Sequence, residues 1–198
     1  MKTASSASQL RVSQAERGFS MIEVMISIVI LSIGLLSMLS VFGIAMAATQ
    51  TSRDNAIAKQ LANETMEGIL TARETANITW TQIQNTGSGG IFLSGFQPIY
   101  NPGVDGIIGT ADDAASGFQT LELPGPSGVF AGNCPAVGAD ICQPLTNFTR
   151  QIAITPVLDQ FGNTILTLRA ITITVQYNVP QFKIPRQYVL NTFISPYR

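Results

Sequence analysis

Residues 17–36 read RGFSMIEVMISIVILSIGLL, and the carboxylate of Glu23 stands alone at the head of an apolar run. From Val24 to Ser52 no charged residue occurs. Roughly 20 apolar residues, rising 1.5 Å each, carry a helix across the ~30 Å hydrocarbon core of a bilayer. The stretch VMISIVILSIGLLSMLSVFGIAMAA, from Val24 to Ala48, exceeds that length and contains no Pro. A charge at mid-membrane costs roughly 2.5–3.5 kcal/mol on insertion scales, so Glu23 calls for a partner or a role. Small residues along the run (Ser27, Ser32, Gly34, Ser37, Ser40, Gly43) thin its surface and let neighbouring helices approach.

Ahead of the run lies MKTASSASQLRVSQAERG, with Lys2, Arg11 and Arg17 against a single Glu16. A net positive leader stays in the cytoplasm and sends the C-terminal part across. A secretory signal peptide would offer the AMA at Ala45–Ala47 for cleavage, but its apolar region spans only ~7–15 residues. A plain uncleaved anchor would leave the position of Glu23 accidental.

The order basic residue, Gly18, Phe19, Glu23, then an unbroken apolar run resembles the N-terminal signature of type IV prepilins and the related type II secretion pseudopilins. The resemblance implies cleavage between Gly18 and Phe19 by a membrane aspartyl prepilin peptidase, which then N-methylates the new amine of Phe19. It also implies a job for Glu23. On a helix running from Phe19, the new amine and Glu23 stand one turn apart on one face. In the family picture Glu23 of one subunit meets the Phe19 amine of its neighbour and sets their axial register. Such a pair at ~4 Å gains about 4 kcal/mol at an effective dielectric of 20, against ~1 kcal/mol in water. The stretch from Gly18 to Met38 looks most like PilV-type minor pilins.

Composition narrows the remaining classes. Net charge is −1, with 11 Lys and Arg against 12 Asp and Glu, and no basic cluster marks a nucleic-acid partner. Charged residues are only 12% of the chain, about half the usual share of a soluble domain. There is no His, hence no imidazole base or ligand. No phosphate-binding loop or Gly-x-Ser-x-Gly elbow occurs. An enzyme is not expected.

Beyond the run, TQTSRDNAIAKQLANETMEGILTARET carries Ile57, Leu61, Met66, Ile69 and Leu70 near helical spacing, opposite Arg53, Lys59, Asn63, Glu67 and Glu74. The spacing predicts one helix from about Phe19 to Thr75, with a break near Thr49 as the alternative. From about Asn77 turn residues dominate. The stretches FQTLEL, TRQIAITPV, TILTLRAITITVQYNV and RQYVLNTFIS then alternate with period two. LDQFGNT reads as a hairpin loop with Gly162 and Asn163 at positive φ. An α+β fold follows, with a long helix packed on a small antiparallel sheet. Its expected divisions are a leader (1–18), a membrane or filament-core helix (19–48), an amphipathic continuation (49–77) and an extracytoplasmic β-rich domain (78–198).

Two further sites are expected. Cys134 and Cys142 close the loop CPAVGADIC, and an oxidising compartment favours a disulfide worth ~2.5 kcal/mol, two free thiols being the alternative. Asp105, Asp112 and Asp113 stand in the Gly-rich GVDGIIGTADDAASG. Three carboxylates suit a hard cation such as Ca²⁺, although the spacing is not that of an EF-hand and Asp and Gly are also ordinary turn residues. Some pseudopilins carry a calcium loop. No other cofactor is expected. The partners implied by the resemblance are prepilin peptidase, other pilins or pseudopilins, the inner-membrane assembly machinery and membrane lipid before assembly. The implied location is the bacterial inner membrane, single-pass with a cytoplasmic N-terminus, and then a periplasmic or extracellular fibre. The alternatives are a type II secretion pseudopilin and a single-pass anchored binding domain.

Overall fold

The computed structural model describes residues 18–122, 142–179 and 184–197. The chain divides into two compact units, Met1–Met46 and Ala47–Arg198. One helix, α1 (Met21–Glu74), contributes to both and is unbroken at Thr49.

In the first unit the large apolar side chains of α1 are exposed in the single chain, and the helix is long and apolar enough to cross a membrane. Its serines do not need neighbours for their hydroxyls. Ser27, Ser32 and Ser37 donate to the carbonyls of Glu23, Ile28 and Ile33 at 2.8, 2.7 and 2.8 Å. Back-bonding of this kind lets a hydroxyl sit among hydrocarbon without an unsatisfied donor.

In the second unit α1 turns one face to the core. Ala58, Leu61, Ala62, Thr65, Met66, Ile69 and Ala72 are buried, at the i, i+3, i+4 spacing of a single helical stripe. The expected Ile57 and Leu70 are only partly buried at its margins, and small residues supply much of the face. The helix closes with Ala76 at φ 60°. Ala76 N–H donates to the Arg73 carbonyl at 3.1 Å and Asn77 N–H to the Ala72 carbonyl at 2.9 Å. That pair of bonds is a Schellman closure with alanine where glycine is usual.

Among the described residues six strands follow: β1 (Gln97–Pro98), β2 (Thr120–Glu122), β3 (Cys142–Pro144), β4 (Phe148–Leu158), β5 (Thr164–Tyr177) and β6 (Arg186–Ile194). The main antiparallel sheet runs β1-β4-β5-β6, and β2 pairs with β3 separately. Period-two alternation in β5 buries Ile171, Ile173 and Val175 completely, and with Phe148, Ile152 and Ile154 of β4 they meet the α1 stripe in one core. The outcome is a long N-terminal apolar helix packed against a small antiparallel sheet, as the patterning predicts. β1 and β3 were not legible as strands, being two and three residues long.

The hairpin joining β4 to β5 corrects one expectation. Gly162 has φ 83°, but Asn163 does not take positive φ. The loop is held instead by Asp159, whose Oδ1 accepts from the Phe161 and Asn163 amides at 2.8 and 2.9 Å. An aspartate that caps its own turn removes the need for a second left-handed residue.

Candidate functional sites

The N-terminal site lies at the start of α1. The helix begins at Met21, so Phe19 and Ser20 precede it, which corrects the expected start at Phe19. The Ser20 carbonyl accepts from the Glu23 and Val24 amides at 3.0 and 3.2 Å, which makes Ser20 the residue where helical bonding begins. Phe19 therefore stands outside the helix whose first turn holds Glu23. Glu23 occupies the first turn, where the aligned peptide dipoles favour a carboxylate. Phe19 is 82% exposed. Gly18 and Phe19 are thus in non-helical backbone.

The acidic loop lies between β1 and β2. Asp105, Asp112 and Asp113 bring carboxylate oxygens within 4.8 Å of one another. Their oxygens already serve the loop. Asp113 accepts from the Gly103 and Gly109 amides at 2.9 and 2.6 Å, and Asp105 from the Ile107 amide at 2.8 Å. Asp112 accepts from the Thr110 hydroxyl at 2.6 Å and from the Asp105 amide at 3.2 Å. Gly109 is required here: its φ is 96°, and a Cβ would lie 2.3 Å from Cδ1 of Ile152.

Beneath this loop stands Arg150 of β4, 3% exposed, a residue the sequence did not single out. Its guanidinium donates to Thr65 Oγ1 of α1 at 3.1 Å and lies in the fields of Asp113 and Glu64. Burial pushes its pKa down to about 10, against the opposing pull of Asp113 and Glu64. The two neighbouring aspartates diverge. Burial raises Asp113 above the usual carboxylate value, while the Thr110 hydroxyl and backbone amides hold half-buried Asp112 below it. A fixed cation already faces the carboxylate cluster. The loop therefore supplies the oxygens a Ca²⁺ ion would use but meets much of their charge and hydrogen-bonding demand itself.

Cys142 opens β3, and Cys134 lies outside the described residues.

Residues 13–39 match the family model of the prokaryotic N-terminal methylation motif. No curated protein and no solved structure gave a match. The matched segment contains Gly18, Phe19 and Glu23 and the first half of the apolar run. It supports a type IV prepilin-like family and a pilin-like or pseudopilin-like role. Such a motif implies processing by prepilin peptidase, assembly with other pilins and membrane anchoring, and it marks structural subunits rather than enzymes.

Proposed function

We propose that this chain is a minor subunit of a type IV pilus, of the PilV-like kind. It is held in the inner membrane by α1 with its leader in the cytoplasm, cut between Gly18 and Phe19, N-methylated on Phe19 and assembled through its apolar helix. The observation that carries the reading is the coincidence of the methylation motif with an exposed, membrane-length apolar run whose one carboxylate, Glu23, stands in the first turn of the helix. In the assembled fibre Glu23 neutralises the Phe19 amine of a neighbour, because an unpaired carboxylate among packed apolar helices is costly. The expected divisions 1–18, 19–48, 49–77 and 78–198 are the leader, the core helix, its amphipathic continuation and the exported domain. A Cys134–Cys142 disulfide in that domain is part of the proposal. It is supported by the absence of a free cysteine among the described residues.

Mass spectrometry of the mature N-terminus tests the reading. N-methyl-Phe19 is expected. A chain starting at Ala48 would indicate a signal peptide, and an intact leader a plain anchor, and either would refute the proposal. Neighbouring genes for secretion rather than pilus components would favour the pseudopilin alternative.

For the acidic loop we propose a self-capped turn in place of a calcium site, supported by the amide bonds to all three carboxylates and by Arg150 beneath them. Addition of millimolar Ca²⁺ is then expected to leave Tm unchanged. A ligand at 100 times its Kd stabilises by about 2.7 kcal/mol, so a rise of several degrees would establish the metal.

A further inference from the structure

The uncharged stretch that begins at Val24 ends at Arg53 and Asp54, one cation followed at once by one anion. Both side chains line a cleft of about 80 Å³ between α1, the β2–β3 pair and one end of the main sheet. Gln50, Gln143, Asn147 and Asn178 line it with them, and all six residues belong to the second unit. Asn147 stands just before β4 and Asn178 just after β5, joined by an amide-to-carbonyl bond of 3.4 Å. The same end of the sheet is fixed to α1, because the Tyr177 hydroxyl donates to Asn55 Oδ1 at 3.4 Å. A water needs about 10–15 Å³ of such space, so the cleft admits a group of several heavy atoms, phosphate included.

Adjacent residues on a helix do not face each other, so Arg53 and Asp54 offer the cleft two separate charges. Arg53 is exposed and Asp54 half-buried. Burial raises the Asp54 carboxyl above its usual value against the pull of Arg53, and a further cation beside it would offset that cost. Arg53 lies five residues beyond Ala48, where the apolar run ends, and α1 is helical throughout. Five residues rise roughly 7–8 Å. The polar layer is about 5–8 Å deep on each side of the ~30 Å hydrocarbon core. With the run across that core, the first charges after it stand at head-group depth.

We propose that this cleft binds the head group of a zwitterionic, amine-bearing phospholipid while α1 spans the membrane, Arg53 holding the phosphate and Asp54 the ammonium. The inference rests on the membrane reading above. The guanidinium fork suits phosphate oxygens, and the side-chain amides of Asn147 and Asn178 supply neutral donors beside it. A primary ammonium brings Asp54 three N–H donors, whereas a quaternary ammonium of the same charge brings none. An anionic head group without an amine would set like charge against Asp54.

The test is native mass spectrometry of the full-length chain released from nanodiscs of phosphatidylethanolamine and phosphatidylcholine in equal amounts. Retained phosphatidylethanolamine is expected to exceed phosphatidylcholine about tenfold, the worth of one charge-assisted hydrogen bond. Asp54→Asn should abolish that preference, and Arg53→Gln should cut retention of both lipids by a similar factor. Lys59→Gln, at an exposed residue outside the cleft, should change neither, with Tm unchanged in all three variants. Soluble phosphoethanolamine added to pure phosphatidylcholine nanodiscs should leave no adduct, and an adduct would overturn the assignment to a lipid. Equal retention of the two lipids, or retention indifferent to both Arg53→Gln and Asp54→Asn, overturns this inference alone. A chain that does not enter the nanodisc overturns the membrane reading and this inference together.

Discussion

At the residue scale, Ala76 shows most directly how local chemistry and global fold can disagree. The Schellman closure of α1 needs a left-handed residue, and an L-residue with a Cβ pays roughly 1–2 kcal/mol to be there. Glycine adopts that conformation freely but loses more entropy on folding, which offsets part of the gain. We expect Ala76→Gly to stabilise the protein by about 0.5–1 kcal/mol, read as a higher denaturant midpoint at unchanged slope. A destabilised variant would mean that the Ala76 methyl group contributes packing that outweighs the strain. Nothing in the sequence marks this position, because Ala is the best helix former and gives no stop signal.

At the element scale, the acidic loop has an internal order of titration. Asp113 is raised by burial and Asp112 lowered by hydrogen bonds, so on acidification Asp113 takes its proton first. The folded protein binds the Asp113 proton more tightly than the unfolded chain does. Its contribution is therefore fully present below the unfolded value of 3.8 and is lost as pH rises through the higher folded value. Asp112 works in the opposite sense, present above 3.8 and lost as pH falls through its lower folded value. Carboxyl ¹³C chemical shifts followed from pH 7 to 2 should show Asp113 moving before Asp112. The reverse order would contradict the burial of Asp113. The Asp-Gly pattern made the loop visible as a carboxylate cluster. The buried Arg150 that meets its charge comes from a strand about forty residues away, with only alternation to announce it.

At the scale of the whole molecule, the first half of α1 is exposed in the single chain, and only a membrane or an assembly gives it an apolar surrounding. The proposed function assigns Glu23 to assembly rather than to insertion. Glu23→Ala should therefore leave the chain in the membrane and correctly cleaved, but reduce its incorporation into fibres at least tenfold, about 1.4 kcal/mol per step of assembly. Immunoblots of membrane and sheared-fibre fractions measure both. Normal incorporation would return Glu23 to a simple helix-start role, which its place in the first turn also explains.

The sequence alone determined whatever depends on local order along the chain. The membrane-length run, the motif around Gly18, Phe19 and Glu23, the continuity of α1 and the period of β4, β5 and β6 all follow from which side chains neighbour one another at helical or strand spacing. Tertiary structure decided what depends on distant partners: Asn85 closing one edge of the sheet, Arg150 joining Thr65 to the acidic loop, and Asn147 and Asn178 brought beside Arg53 and Asp54. Those bonds form only after burial has removed water and left buried donors and acceptors with one another, and no pattern within a single segment encodes which partner will be near.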